Sequence, residues 1–157
     1  MKVLALIIAF LLPAGLLACS SVEASGTQNA GNEQASEDAH ELFVVVTSEN
    51  PETQMMAMVL ATQSMNQDVP VRILLCSEAG DLALADSESP AFMPIERSPK
   101  QLLRGLMANG AQVEVCGIYL PNRPELSADD LIEGIGTAQP PEVAGYMKRP
   151  EVRYFSF

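Results

Sequence analysis

The chain has no tryptophan, a single histidine and few cations: nine Lys and Arg stand against twenty Asp and Glu, a formal charge of −11. Such a surface repels phosphate backbones, and no basic run interrupts it, so no nucleic-acid partner is expected. The lone His40 precedes the first predicted element, which removes most acid–base and triad chemistry built on imidazole. Gly134 and Gly136 lack the spacing of a phosphate cradle, so no cofactor is expected, and no metal site is assigned. There is no internal repeat.

One long apolar run is present, at the amino terminus. Lys2 supplies a positive charge, Val3 to Leu12 is unbroken and apolar, and Pro13-Ala14-Gly15 leads to Leu16-Leu17-Ala18-Cys19. The run is too short to span a bilayer with proper flanks and reads as an export signal over residues 1–18. Its last four residues resemble the lipobox of bacterial lipoproteins. The resemblance implies diacylation of the Cys19 thiol, cleavage before it and acylation of the new amino terminus. The other reading is an ordinary secretory signal that leaves Cys19 a free thiol. Acyl chains bury about 0.8 kcal/mol per methylene, so several hold a protein firmly on a membrane. A lipoprotein of the cell envelope facing the periplasm is expected. Ser20 in place of Asp favours the outer membrane under the enterobacterial sorting rule.

Loss of Lys2 with the signal takes the formal charge to −12. Ser20 to His40, poor in branched aliphatics, cannot bury enough surface to order itself. As a flexible linker it spans about 25 Å. Residues 19–40 are thus lipid anchor and linker, and residues 41–157 a single domain.

Within that domain strands and helices alternate. Leu42 to Thr47 is a β-branched and aromatic run of the kind buried on both faces of a sheet. Asn50 caps a helix with Pro51 at its first position, running to about Asn66. Val69 to Cys76 is the second strand, Gly80 to Leu84 a short helical turn and Asp86 to Arg97 a loop. Ser98-Pro99-Lys100-Gln101 opens a helix that Asn109-Gly110 ends. Val113 to Cys116 begins a third strand. Ser127 to Glu133 forms a short helix, Gly134 to Thr137 a fourth strand, Pro140 to Lys148 a last helix and Val152 to Phe157 a fifth strand. This order predicts a three-layer α/β/α sandwich on a five-stranded, mostly parallel sheet, with its chemistry beyond the carboxyl ends of the strands. Cys76 and Cys116 both fall at such ends.

Ala111-Gln112-Val113-Glu114-Val115-Cys116, Arg123, Asp130-Leu131 through Gly136, and the closing Pro150 to Phe157 together resemble the DsrE-like sulfur-relay family of DsrE, TusD and YchN types. The likeness covers about residues 42 to 157. It implies that Cys116 matches the persulfide-bearing position, with Arg123 steadying the thiolate or an anionic sulfur ligand. It also implies trimers or hexamers joined through apolar faces, and a sulfur or thiol-redox partner protein. Pro124 replaces the Gly that usually follows the Arg, and Tyr119 stands where some members have a second Cys. The family's sheet order makes Cys76 and Cys116 neighbours, and three readings stay open. One is a structural or redox-active disulfide, worth about 3–4 kcal/mol if unstrained. Another is a working Cys116 with Cys76 as resolving partner, and the third is two inert buried thiols.

Met55-Met56-Ala57-Met58, with Met65, is a thioether cluster of the sort that binds Cu(I), but Met55, Met58 and Met65 also keep the spacing of one core-facing helix surface. Asp129, Asp130 and Glu133 read as favourable charges in the first turns of a helix capped by Ser127. The expected activity is sulfur carriage or thiol-redox exchange through Cys116. The alternatives are a non-enzymatic binding or assembly module and a copper-handling lipoprotein.

Overall fold

The computed structural model describes residues 40–157; the expected export signal, Cys19 and nearly all of the expected linker lie outside the described residues. The elements in chain order are β1 (Glu41–Val46), α1 (Pro51–Met65), β2 (Val71–Leu75), a 3₁₀ turn (Ser77–Ala83), α2 (Pro99–Ala108) and β3 (Gln112–Cys116). Two further 3₁₀ turns (Leu120–Asn122 and Ala128–Asp130), β4 (Gly136–Ala138), α3 (Pro140–Met147) and β5 (Val152–Ser156) complete the chain. The strands form one sheet in the order β4-β3-β2-β1-β5. Every pairing is parallel, so the sheet is wholly parallel rather than mostly so.

The helix starts follow from the capping residues. Asn50 Oδ1 accepts the backbone N–H groups of Glu52 and Thr53 at 2.9 and 3.0 Å, satisfying donors that have no partner within α1. At α2 the hydroxyl of Ser98 accepts from the Gln101 N–H at 3.2 Å, and the Gln101 side chain accepts from the Ser98 N–H at 2.9 Å.

Side-chain alternation along the strands divides the interior in two. Val44, Val46, Ile73, Leu75, Val113 and Val115 face α1 and α2, packing on Ala57, Met58, Ala61, Leu103 and Leu106. On the opposite face, among the described residues, Phe43, Leu74 and Ala138 are the buried hydrophobics, joined by half-buried Val45, Cys76, Val143, Tyr146 and Val152. Helix α3, which covers this second face, contains no fully buried residue. Beneath it lies a buried ion pair: Arg72 Nε and Nη2 donate to Glu114 Oε2 at 2.8 and 2.7 Å. The Arg72 guanidinium also sits 4.6 Å from the Tyr146 ring centroid and 5.7 Å from that of Phe43.

Strand ends shift by a residue or two from expectation, and three boundaries differ for a clear local reason. Ser77, at φ 51°, turns the chain directly after β2, so the 3₁₀ turn begins there and not at Gly80. The segment from Ser127 makes one 3₁₀ turn and no longer helix. Leu131 pairs with Leu84, and the Ile132 N–H donates to Ala83 O at 2.8 Å, which buries both side chains. Strand β4 starts at Gly136 because Gly134 has a left-handed backbone, φ 91°, which a strand does not accommodate.

Candidate functional site

Parallel register runs from Arg72 opposite Gln112 to Leu75 opposite Val115, and the next rung brings Cys76 beside Cys116 at the carboxyl end of the sheet. The ladder continues through Cys76, whose N–H donates to Val46 O at 2.9 Å, and Cys116 pairs on its other side with Ala138. Both cysteines are free thiols and half-buried. Burial is the main cause that pushes the Cys76 thiol up to about 12, followed by the hydrogen bond between its S–H and Cys116 and by the charge of Cys116. At neutral pH Cys76 therefore stays protonated. A negative charge arriving on Cys116 meets a donor already in place. Neighbouring strands run about 4.8 Å apart, inside the Cα separation that a disulfide tolerates.

The walls come from the two segments that leave these strands. After β3, Gly117 runs so close to the next strand that an added Cβ would lie 2.7 Å from Ala138 O. Tyr119 is buried, and its ring lies against Gly80, where a Cβ would be 2.1 Å from a ring carbon. Its hydroxyl donates to Asp81 Oδ1 at 2.6 Å; burial, and secondly that carboxylate, push the phenol well above its ordinary range. The Arg123 guanidinium stacks 4.1 Å from the Tyr119 centroid, donates to Ser77 O at 3.4 Å and lies 4.0 Å from Asp81.

The structure thus brings Cys76 and Cys116 together, as expected. Arg123 reaches the carbonyl of Ser77, the residue after Cys76, and makes its other contacts with Asp81 and the Tyr119 ring. Tyr119, Gly80 and Asp81 were not singled out from the sequence as site residues. The available signal was a Gly-Asp pair four residues past a strand-end cysteine, with a lone Tyr past the other.

The methionines separate. Met58 is fully buried and Met55 nearly so, in the α1 core. Met56 is 52% exposed and joins Met55 and Met93, 76% exposed, around an apolar groove of about 370 Å³. The larger cleft between α1 and α2, about 500 Å³, is lined by Thr62, Met65, Arg97 and Gln101 among others and offers no nucleophile. Among the described residues no group of three or more His, Cys, Asp and Glu is arranged to hold a metal ion, and no helix is long and apolar enough to cross a membrane. Asp130 accepts from the N–H and hydroxyl of Ser127 at 2.7 and 2.8 Å, the expected cap on a shorter turn.

Sheet order, layers and strand-end thiols together define a small three-layer α/β/α protein with a cysteine pair at the carboxyl edge of its central strands. No family model matches the chain, and no curated protein matches it. Solved structures do. The YchN protein from E. coli is similar over 74% of this chain and 99% of its own, with a TM-score of 0.61 and 21% identity. MTH1491 from Methanobacterium thermoautotrophicum, a protein of unknown function, is similar over 75% of this chain and 99% of its own, with a TM-score of 0.56 and 15% identity. The fold is DsrE-like.

Proposed function

We propose that this chain is a lipid-anchored, extracytoplasmic carrier of sulfane sulfur, working through Cys116. The observation that supports it is the contact between two free thiols at the ends of adjacent central strands, with Cys76 donating its S–H to Cys116. In the loading step the Cys116 thiolate attacks the outer sulfur of a donor persulfide. A Cys116 S–S bond forms, the donor's S–S bond breaks, and the donor leaves as a thiol. Cys76 sits where it can resolve the product: its sulfur attacks Cys116, giving a Cys76–Cys116 disulfide and releasing hydrogen sulfide. Arg123, on the backbone beside Cys76, supplies positive charge for the anionic persulfide.

The test is uptake of labelled sulfane sulfur from a low-molecular-weight persulfide, read by intact mass. Cys76→Ser, which has no resolving thiol, gains one sulfur. Wild type gains one sulfur or, once Cys76 has resolved it, ends two hydrogens lighter. Cys116→Ser gains none, and uptake by Cys116→Ser would sink the reading. Acylation of Cys19 holds the domain at the membrane, the outer membrane by the Ser20 rule, so labelled palmitate enters wild type and not Cys19→Ala.

A second reading, an assembly module, draws on the thin α3 layer. A parallel sheet is covered on both faces, yet Ile118, Met147, Tyr154 and Phe155 are exposed. A homo-oligomer buries such surface. Light scattering showing a clean monomer would remove this reading.

A further inference from the structure

Sulfur carriage uses one thiol of the pair, but the pair also has the makings of a chelate. We propose that Cys76 and Cys116 together bind a soft monovalent cation, Cu(I), as a two-coordinate bis-thiolate at the carboxyl end of β2 and β3. This assignment shares with the sulfur-carriage reading only the premise that both thiols are free.

Four observations select that ion. The two cysteines fall on one rung of neighbouring strands, and their sulfurs are already in hydrogen-bond contact. Among the described residues no third or fourth His, Cys, Asp or Glu completes a cluster, which a tetrahedral zinc site requires. Cys76 packs against the cluster of Phe43, Leu74 and Ala138, and Cys116 against the main apolar core, a largely apolar surround that suits a soft ion better than a hard one. Thiolate sulfur prefers Cu(I) among the first-row ions, and two thiolates satisfy it without further ligands. The Arg123 guanidinium, bonded to the carbonyl of Ser77, offsets the single negative charge of the complex. No electrons move in the step: two S–H bonds break, two Cu–S bonds form and two protons leave to solvent. Both cysteines bind as thiolates, so protons compete with copper and binding strengthens as pH rises.

The groove lined by Met55, Met56 and Met93 is the rival site for the same ion, and the experiment separates them. The full chain carrying Cys19→Ala, so that only the strand-end thiols remain, is titrated anaerobically with Cu(I) against a chromogenic Cu(I) chelator. One copper per chain is expected, with affinity rising about tenfold or more per pH unit between about pH 6 and pH 8. Cys76→Ser and Cys116→Ser each lose it, and Met55→Leu/Met56→Leu/Met93→Leu keeps it. Copper retained by Cys76→Ser, or lost from the methionine variant alone, would overturn the assignment. Should a cysteine variant fail to fold, the intact pair still reports. Bound Cu(I) protects both thiols from alkylation, and unaltered alkylation of either one refutes the site. Sulfur uptake needs Cys116 alone whereas copper needs both cysteines. Persulfide loading of Cys76→Ser with no copper bound supports both readings, and copper bound by wild type while Cys76→Ser takes up no sulfur removes only the first.

Discussion

The two faces of the sheet are built on opposite plans. The face under α1 and α2 is a continuous apolar core in which Val44, Ile73, Leu75, Val115 and Leu103 are all fully buried or nearly so. Among the described residues, the face under α3 has three buried hydrophobics, a buried Arg72–Glu114 ion pair and the polar end of Tyr146, whose hydroxyl donates to Glu41 at 2.8 Å. The first face carries the hydrophobic driving force for folding. The second holds charges that must be desolvated, and a buried ion pair is weak evidence for net stability. Cys76 packs at the end of that second face, and Cys116 packs against the core of the first.

That contrast breaks most sharply at the ion pair. Glu114→Leu leaves Arg72 buried and unpaired and costs about 3–5 kcal/mol in urea unfolding, whereas Arg72→Met/Glu114→Leu returns close to wild type or above it. A double variant as damaged as the single one would mean that the pair itself stabilises the fold. On the opposite face Leu103→Ala removes a fully buried side chain facing β-strands on a rigid helix, at about 3 kcal/mol. An effect below about 1 kcal/mol would show that this core relaxes as freely as the thin face.

At the seam between the faces, Gly80→Ala drives a methyl into the Tyr119 ring and costs about 1–3 kcal/mol. Tyr119→Leu in the same chain recovers part of that loss, because the two sites share one contact. The expected companion effect is faster alkylation of Cys76, since the turn that follows it is displaced. Unchanged alkylation would detach the Tyr119–Gly80 packing from the thiol site.

Much of the first face was legible in the sequence. Leu42 to Val46 and Val71 to Leu75 are runs whose composition admits a buried parallel strand, and Asn50-Pro51 and Ser98-Pro99 mark helix starts by chemistry local to a few residues. The pairing of Cys76 with Cys116 followed once strand order was taken from the family resemblance. Other features depend on contacts distant in sequence. Nothing local marks the role of Arg72, because its partner Glu114 lies 42 residues on. Tyr119 meets Asp81 across 38 residues, and no local pattern announces that a Gly80 Cβ would collide with its ring. Met93 joins Met55 and Met56 only through the fold of the loop that carries it.

The smallest effect expected is a difference in alkaline stability. The native Cys76 thiol is raised from 9.0 to about 12 and the Tyr146 phenol from 10.0 to about 12, in each case chiefly by burial. Below pH 9 both native and unfolded chains hold these protons, so the contribution is fully present. As pH rises toward 12 the unfolded chain releases them first, and stability falls. In thermal melts the wild type loses stability from about pH 9 upward, Cys76→Ser stays flat to about pH 10, and Tyr146→Phe keeps the early decline but falls less steeply later. Tyr119, raised on the other side of the seam, keeps part of the upper limb in every variant. Identical limbs for wild type and Cys76→Ser would mean that Cys76 is not held as a buried donor. Cys116 would then lack the ready S–H on which the asymmetry of the pair depends.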